Sequence, residues 1–266
     1  MRAIIAGRGA LPAAIVNAGG DIATIVCALE GFLPDNIDVD HVFRLEHLGS
    51  LLGLLRQRGV TDVCFAGSIR RPPIDPSAID AATLPLVPLL QGAMGQGDDA
   101  ALRAVVGLFE HQGFTVVGAQ DLAPDLLAPE GILTKRQPDS QAESDAIRAA
   151  QIIGAMATVD VGQACVVHKG QALAIEGVFG TDWMLQSLQA RPDEAGGLLL
   201  KALKPGQDQR VDLPTIGPDT ITAVKQAGLD GIVVEAGHVL ILSRAETVAR
   251  AQDAGLFLWC RAGAAG

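Results

Sequence analysis

With 266 residues, 49% of them hydrophobic and 19% charged, the chain has enough apolar material for one large or two medium cores, which excludes a disordered or low-complexity polypeptide. A formal charge of −10 and a pI near 4.9 exclude a general nucleic-acid binder, because a protein that neutralises duplex phosphates presents a basic face. Cys27, Cys64, Cys165 and Cys260 lie far apart with no C-x-x-C pair, which argues against a disulfide framework or zinc site and reads as buried thiols of a cytosolic protein.

Only 3% of residues are aromatic and Tyr is absent, so the interior is expected to be aliphatic, as in sheets covered by helices. Ala3 to Ala6 reads as a short buried strand. Gly7-Arg8-Gly9-Ala10-Leu11-Pro12 then turns into an apolar helix running towards Ala18. Backbone N–H groups of such a turn can approach a phosphate, with Arg8 adding charge. A purely structural turn is the equal alternative. The third Gly of a dinucleotide fingerprint is missing, and no acidic residue is expected at the end of the second strand, Ile22 to Ala28.

Val42-Phe43-Arg44-Leu45 precedes a helix through Leu48, Leu51, Leu52, Leu54 and Leu55 that stops at Gly59. Val60 to Ala66 is the next buried strand, and Gly67-Ser68-Ile69-Arg70-Arg71-Pro72 follows at its carboxyl end, the edge where open parallel sheets bind ligands. Leu84 to Met94 reads as broken helix. Gly97-Asp98-Asp99 starts a helix through Phe109, the two carboxylates serving as an N-cap or, alternatively, as cation ligands. Phe114 to Gly118 completes the first series of strands. The polar stretch Lys135 to Asp145 marks a boundary, giving segments 1–136 and 140–266.

Beyond it the spacing predicts a helix from about Ser144 to Ala157, and a hairpin of Gln163–His168 and Ala172–Glu176 around Lys169-Gly170, with His168 exposed. Thr181 or Asp182 is placed to cap the next helix. Leu198 to Leu203 is a strand, and Ile232–Ala236 with Val239–Leu242 is expected to form a strand pair. Taken together the fold class is α/β: an N-terminal Rossmann-like open parallel sheet and a smaller C-terminal mixed α/β domain.

The densest polar stretch is Lys204 to Thr220, which holds Lys204, Arg210, Asp208, Asp212 and Asp219 among three prolines. Carboxylates beside cations suit a metal-assisted reaction at a phosphate, with Mg2+ or Mn2+ held by hard oxygens and a further carboxylate orienting water. A solvated connection is the bland alternative.

Several short motifs occur in one order along nearly the full length: Ile5 to Pro12, Phe65 to Pro72, Gly97 to Asp99, Asp160 to Gln163, Gly180 to Asp182, Lys204 to Asp208, Asp212 to Pro214 and Ile216 to Pro218. In these the chain resembles the UDP-2,3-diacylglucosamine pyrophosphatases of the LpxI type, with one departure, Phe179 where a Glu often precedes Gly-Thr-Asp. The resemblance implies a metal-dependent (Mg2+ or Mn2+) hydrolase of lipid A biosynthesis that acts on the cytoplasmic face of the inner membrane. It implies cleavage of UDP-2,3-diacylglucosamine into UMP and 2,3-diacylglucosamine 1-phosphate (lipid X) between two domains. Asp212, Lys204 and Arg210 would be catalytic, and Asp212 with Asp219 would bind metal. Gly9, Ala10, Leu11, Gly67, Ser68, Arg70, Thr181, Asp182 and Gln207 would contact substrate. Leu84 to Met94 and Trp183-Met184-Leu185 are candidates for the acyl groove, with transient membrane contact and a homodimer as further expectations. A non-catalytic nucleotide-sugar or lipid-binding module and an NAD(P)-dependent oxidoreductase are the rival readings.

Overall fold

The computed structural model describes residues 1–20, 22–70, 73–89, 98–192 and 194–263. The chain divides into two compact units, one of Met1–Asp125 with Asp208–Asp212 and one of Leu126–Gln207 with Leu213–Gly266. The second unit is not the smaller one expected, and it takes in the residues just before the 136–140 break.

The first unit is a five-stranded sheet of β1 (Arg2–Ala6), β2 (Thr24–Leu29), β3 (His41–Phe43), β4 (Asp62–Ala66) and β5 (Thr115–Val116) in the order β3-β2-β1-β4-β5. Every pairing is parallel, which is the Rossmann-like half of the expectation. The apolar runs of β1, β2 and β4 reflect burial on both faces. On one face Ala3, Ile5, Cys27 and Val63 pack with Leu51 and Leu55 of α2 (Leu48–Gln57) and Phe109 of α3 (Asp98–His111). On the other, Ile15 of α1 (Leu11–Ala18) is fully buried, and α1 contacts α4 (Ala119–Leu122). The second strand runs one residue further than expected, through Leu29, so that Glu30 directly follows it.

The second unit carries a six-stranded mixed sheet. Its strands are β6 (Gly131–Ile132), β7 (Ala164–His168), β8 (Gln171–Ile175), β9 (Leu198–Lys201), β11 (Gly231–Glu235) and β13 (Phe257–Arg261), ordered β6-β13-β11-β9-β7-β8. Residues 126–136 belong here because Gly131–Ile132 pairs antiparallel with β13 and Leu127 bridges to Leu240. Period-two alternation divides the strands between two cores. Cys165, Val167, Leu198 and Leu200 face α5 (Ser140–Ala157), while Ala164, Val166, Leu199 and Ile232 face α6 (Gly180–Ser187), α7 (Pro218–Gln226) and α8 (Arg244–Asp253).

Three sequence expectations change here. Helix α5 begins at Ser140, not Ser144, because the Asp139 carboxylate accepts the Ala142 N–H at 2.8 Å and caps it. The expected pair of Ile232–Ala236 and Val239–Leu242 does not form. Instead β11 lies between β9 and β13, both parallel, and β12 (Leu240–Ile241) pairs with β10 (Thr215–Ile216) as a separate parallel ribbon. The hairpin at Lys169-Gly170 forms as expected, but His168 is half-buried, packed where a Cβ on Gly196 or Gly197 would stand. The buried Asp145 carboxylate accepts the Lys169 and Gly170 N–H groups at 2.9 and 2.7 Å and so fixes this turn.

All four cysteines are free and buried. Burial pushes the thiols of Cys27, Cys64 and Cys165 up to about 12 and that of Cys260 to about 11, so they are structural apolar groups and not nucleophiles.

Candidate functional site

In the first unit the two glycine-rich turns meet at the carboxyl ends of adjacent strands β1 and β4, where the strand order reverses direction. Arg8 and Ser68 exchange backbone hydrogen bonds, each N–H to the other's carbonyl at 2.9 Å. The crossing is so close that a Cβ on Gly7 would stand 2.6 Å from the Ser68 carbonyl oxygen, and one on Gly67 the same distance from the Gly7 oxygen. Gly67 also holds φ +92°, a left-handed conformation that other residues adopt only under strain. Gly9, Ala10 and Leu11 thereby sit at the start of α1, with Gly67 and Ser68 beside the Gly7–Arg8 backbone. Arg71 and Pro72 lie outside the described residues, as do Gly97 and the side chains of Asp98 and Asp99.

Arg8 is anchored across the sheet edge. Its Nε and Nη2 donate to the Gly31 carbonyl at 3.2 and 2.7 Å, and its guanidinium lies 5.1 Å from the centre of the Phe32 ring. Both partners are uncharged, so the position is fixed while the positive charge remains available to an anion. Together with the N-terminus of α1 this edge is suited to receiving a phosphate.

The segment Asp208–Asp212 joins the same unit because Val211 packs into its core. The Val211 and Asp212 N–H groups both donate to the Asp208 carbonyl at 3.2 Å, closing a tight turn. Arg210 is oriented differently from the sequence expectation. Its guanidinium is held by Asp208 in a two-point pair, Nε to Oδ1 at 3.0 Å and Nη2 to Oδ2 at 2.8 Å, and by Glu110 at 2.6 Å. The Arg210 hydrogen bonds hold the Asp208 carboxyl below the usual carboxylate range, and those two carboxylates raise the arginine in turn. A cation that is already neutralised twice contributes little to a phosphate. Its work is to shape the turn that ends in the half-buried Asp212.

In the second unit Lys204 Nζ donates to Asp160 Oδ1 at 2.5 Å, with only 12% of the lysine side chain exposed. The buried Gln207 closes the turn after β9, its Oε1 accepting the Lys204 N–H at 3.2 Å. Lys201 Nζ donates to the Thr215 carbonyl at 3.1 Å. The Thr181 hydroxyl donates to buried Glu176 at 2.7 Å, and the other oxygen of Glu176 accepts the Gln163 N–H at 2.7 Å. Thr181 is thus inside the first turn of α6 and not its cap, while Asp182 beside it is exposed. Glu176 stands three positions before Phe179, the point at which the chain departs from the family pattern. Its burial between two hydrogen-bond donors is the signal that separates it from the exposed carboxylates.

Asp219 is exposed in the first turn of α7, which starts at Pro218, where a negative charge favours the helix dipole. Of the acyl-groove candidates, Met184 and Leu185 are at most 1% exposed and belong to the core. Trp183 is 56% exposed and stacks obliquely with Phe179, ring centres 5.2 Å apart. Leu84 and Leu89 are exposed as well, and residues 90–94 lie outside the described residues. Among the described residues no three of His, Cys, Asp and Glu gather as a metal cage, and no helix is long and apolar enough to cross a membrane.

Comparison with known proteins covers nearly the whole chain. The family model for the LpxI N-terminal domain matches residues 1–126, and the model for the LpxI C-terminal domain matches residues 129–259. A protein of Caulobacter vibrioides described as UDP-2,3-diacylglucosamine pyrophosphatase LpxI is 38% identical over 267 residues, an alignment that covers 96% of this chain and 95% of the relative.

Proposed function

We propose that this chain, which belongs to the LpxI family, hydrolyses the pyrophosphate bond of UDP-2,3-diacylglucosamine to UMP and 2,3-diacylglucosamine 1-phosphate in lipid A synthesis. The observation that carries this reading is the near full-length similarity to a relative with that activity in its name. The anion-receiving edge at Arg8, Gly9 and Ser68 supports it.

In the reaction a water oxygen bonds to one phosphorus, the bridging oxygen leaves with the electron pair of its P–O bond, and two phosphate monoesters result. Asp212 is the carboxylate that orients the water or takes its proton. Arg210 positions the Asp212 turn through Asp208 and Glu110, and Lys204, held by Asp160 within the second unit, is the further cation proposed to meet phosphate charge. A cation such as Mg2+ or Mn2+ normally takes only one or two protein carboxylates and completes its shell with phosphate oxygens and water. Asp212 of the first unit and Asp219 of the second are the carboxylates proposed for that role, each as a single protein ligand of so sparse a shell. When bound, the cation offsets charge on the phosphoryl oxygens.

Incubation of the purified protein with UDP-2,3-diacylglucosamine and Mg2+ is expected to release UMP, and EDTA is expected to stop the release until Mg2+ or Mn2+ is restored. Binding without UMP formation removes the hydrolase reading. Full turnover in EDTA removes only the metal.

The substrate carries two acyl chains, and in the second unit the apolar side chains of Ile175, Val178, Phe179 and Trp183 are exposed, Val178 at 79%, with Phe179 and Trp183 in ring contact. Aromatic side chains of this kind partition to the lipid–water boundary. The Phe179–Trp183 pair is the proposed contact with the membrane surface. Trp183 emission is expected to shift to the blue when phosphatidylethanolamine vesicles are added, and Trp183→Ser to lose vesicle binding while keeping turnover of detergent-dispersed substrate. A spectrum indifferent to vesicles removes the contact.

A further inference from the structure

Glu30 is the first residue after β2, about 20 positions beyond the glycine turn, the spacing at which nucleotide-binding sheets place an acid for the ribose. The strand order β3-β2-β1-β4-β5 sets the end of β2 directly beside the turn at Gly7–Leu11. The register pairs Ala6 with Ala28, and Arg8 reaches over to the Gly31 carbonyl at 2.7 Å. In nucleotide-binding sheets of this order, a phosphate at the first helix start directs the ribose towards the end of the second strand.

The carboxylate is held in place but not consumed. The Glu30 N–H donates to the Phe43 carbonyl at 2.8 Å, which fixes its backbone. Its only ion-pair partner among the described residues is Arg44 at 3.6 Å, with 63% of the Glu30 side chain exposed. Arg44 gives its hydrogen bonds instead to Glu46, at 3.3 and 3.1 Å. The buried Glu46 also accepts the Asp75 N–H at 2.8 Å, and these bonds hold its carboxyl down at about 2, with the Arg44 bond the largest cause. Glu46 thus stays ionised and keeps Arg44 turned towards itself, which leaves the Glu30 oxygens open to a hydroxyl donor.

We propose that Glu30 is the ribose-binding residue of this protein, accepting hydrogen bonds from the vicinal hydroxyls of a uridine nucleotide seated at the Gly7–Leu11 turn. The assignment rests on the hydrolase reading for the identity of the nucleotide, and it makes the first unit the nucleoside-recognition unit. It also corrects the absence of an acid at the end of the second strand: the strand is longer than its sequence pattern suggests, and Glu30 occupies the position.

The test compares UMP with 2′,3′-dideoxy-UMP by calorimetry on the intact chain. The parent is expected to bind UMP at least about 10-fold more tightly, the effect of losing hydrogen bonds to a charged acceptor. Glu30→Ala is expected to bind both nucleotides alike, with dideoxy-UMP at parental affinity, which shows that the fold is kept. It is also expected to raise KM for the UDP substrate with kcat unchanged. Equal affinities in the parent, an undiminished preference in Glu30→Ala, or no UMP binding at all overturns the proposal. If the parent releases UMP from the substrate and Glu30→Ala keeps the preference, the ribose assignment alone fails. If the parent binds UMP with the expected preference but hydrolyses nothing, the hydrolase reading alone fails.

Discussion

Asp212→Asn is expected to lower kcat for UMP release by about 1,000-fold, within the range of losses seen when a proton-transfer group is removed, while the folded protein keeps its parental thermal midpoint. The expectation follows from how the neighbouring charges are used. Asp208 is committed to Arg210 through both oxygens, and Arg210 is further held by Glu110. With Val211 in the core of the first unit, the turn is fixed from both sides and delivers Asp212 at its exit, half-buried before Leu213-Pro214. Asn keeps the shape and hydrogen-bonding size of this side chain but can neither carry a charge nor accept a proton at neutral pH. Asp208→Asn serves as the contrast. It breaks a partly exposed ion pair and is expected to cost about 1 kcal/mol of stability, with a turnover loss well below that of Asp212→Asn. Turnover of Asp212→Asn within a few-fold of the parent would take Asp212 out of the mechanism. Inactivity confined to a folded Asp208→Asn would transfer the role to Asp208.

The parallel sheet was legible in the sequence because Ala3–Ala6 and Val63–Ala66 are short apolar runs followed by Gly-rich turns. That pattern occurs when both faces are buried and the chain must turn sharply at the strand ends. The lengths of the runs were less legible, and one residue mattered. Leu29 extends β2 by a single position beyond the expected Ala28, and that shift places Glu30 at the sheet edge. Pairing was hardest to read in the second unit. Ile232–Ala236 and Val239–Leu242 are both apolar and separated by Gly237-His238, which is a hairpin signal. The actual partners, Leu198–Lys201, Phe257–Arg261 and Thr215–Ile216, are remote in sequence and leave no local trace. Among the site residues, the identity of the polar groups could be read but not their partners. Arg210 looked like a phosphate cation because nothing in Asp208-Gln209-Arg210 reveals that the guanidinium folds back onto Asp208, nor that Glu110, a hundred positions earlier, completes the pair.

Gly67→Ala is expected to destabilise the protein by about 3 kcal/mol or more, seen as a fall in the urea midpoint with an unchanged slope. Two costs add at this position. The residue holds φ +92°, which strains any side chain, and a Cβ would stand 2.6 Å from the Gly7 carbonyl oxygen. That oxygen belongs to backbone at the end of a buried strand and cannot swing aside as a flexible side chain would. Relief requires the Arg8–Ser68 backbone exchange to open, which takes apart the edge proposed to receive phosphate. Gly9→Ala isolates the first cost from the second. It has a similar φ of +97° but no atom within 4 Å of the added methyl, so only conformational strain of about 1 kcal/mol is expected. Because Gly9 sits at the α1 start, a folded Gly9→Ala should still lose at least about 10-fold in kcat/KM if the backbone N–H groups there meet the substrate phosphate. Equal stability losses in the two variants would show that the close crossing of Gly7 and Gly67 does not persist in solution. A fully active Gly9→Ala would move the phosphate away from this turn.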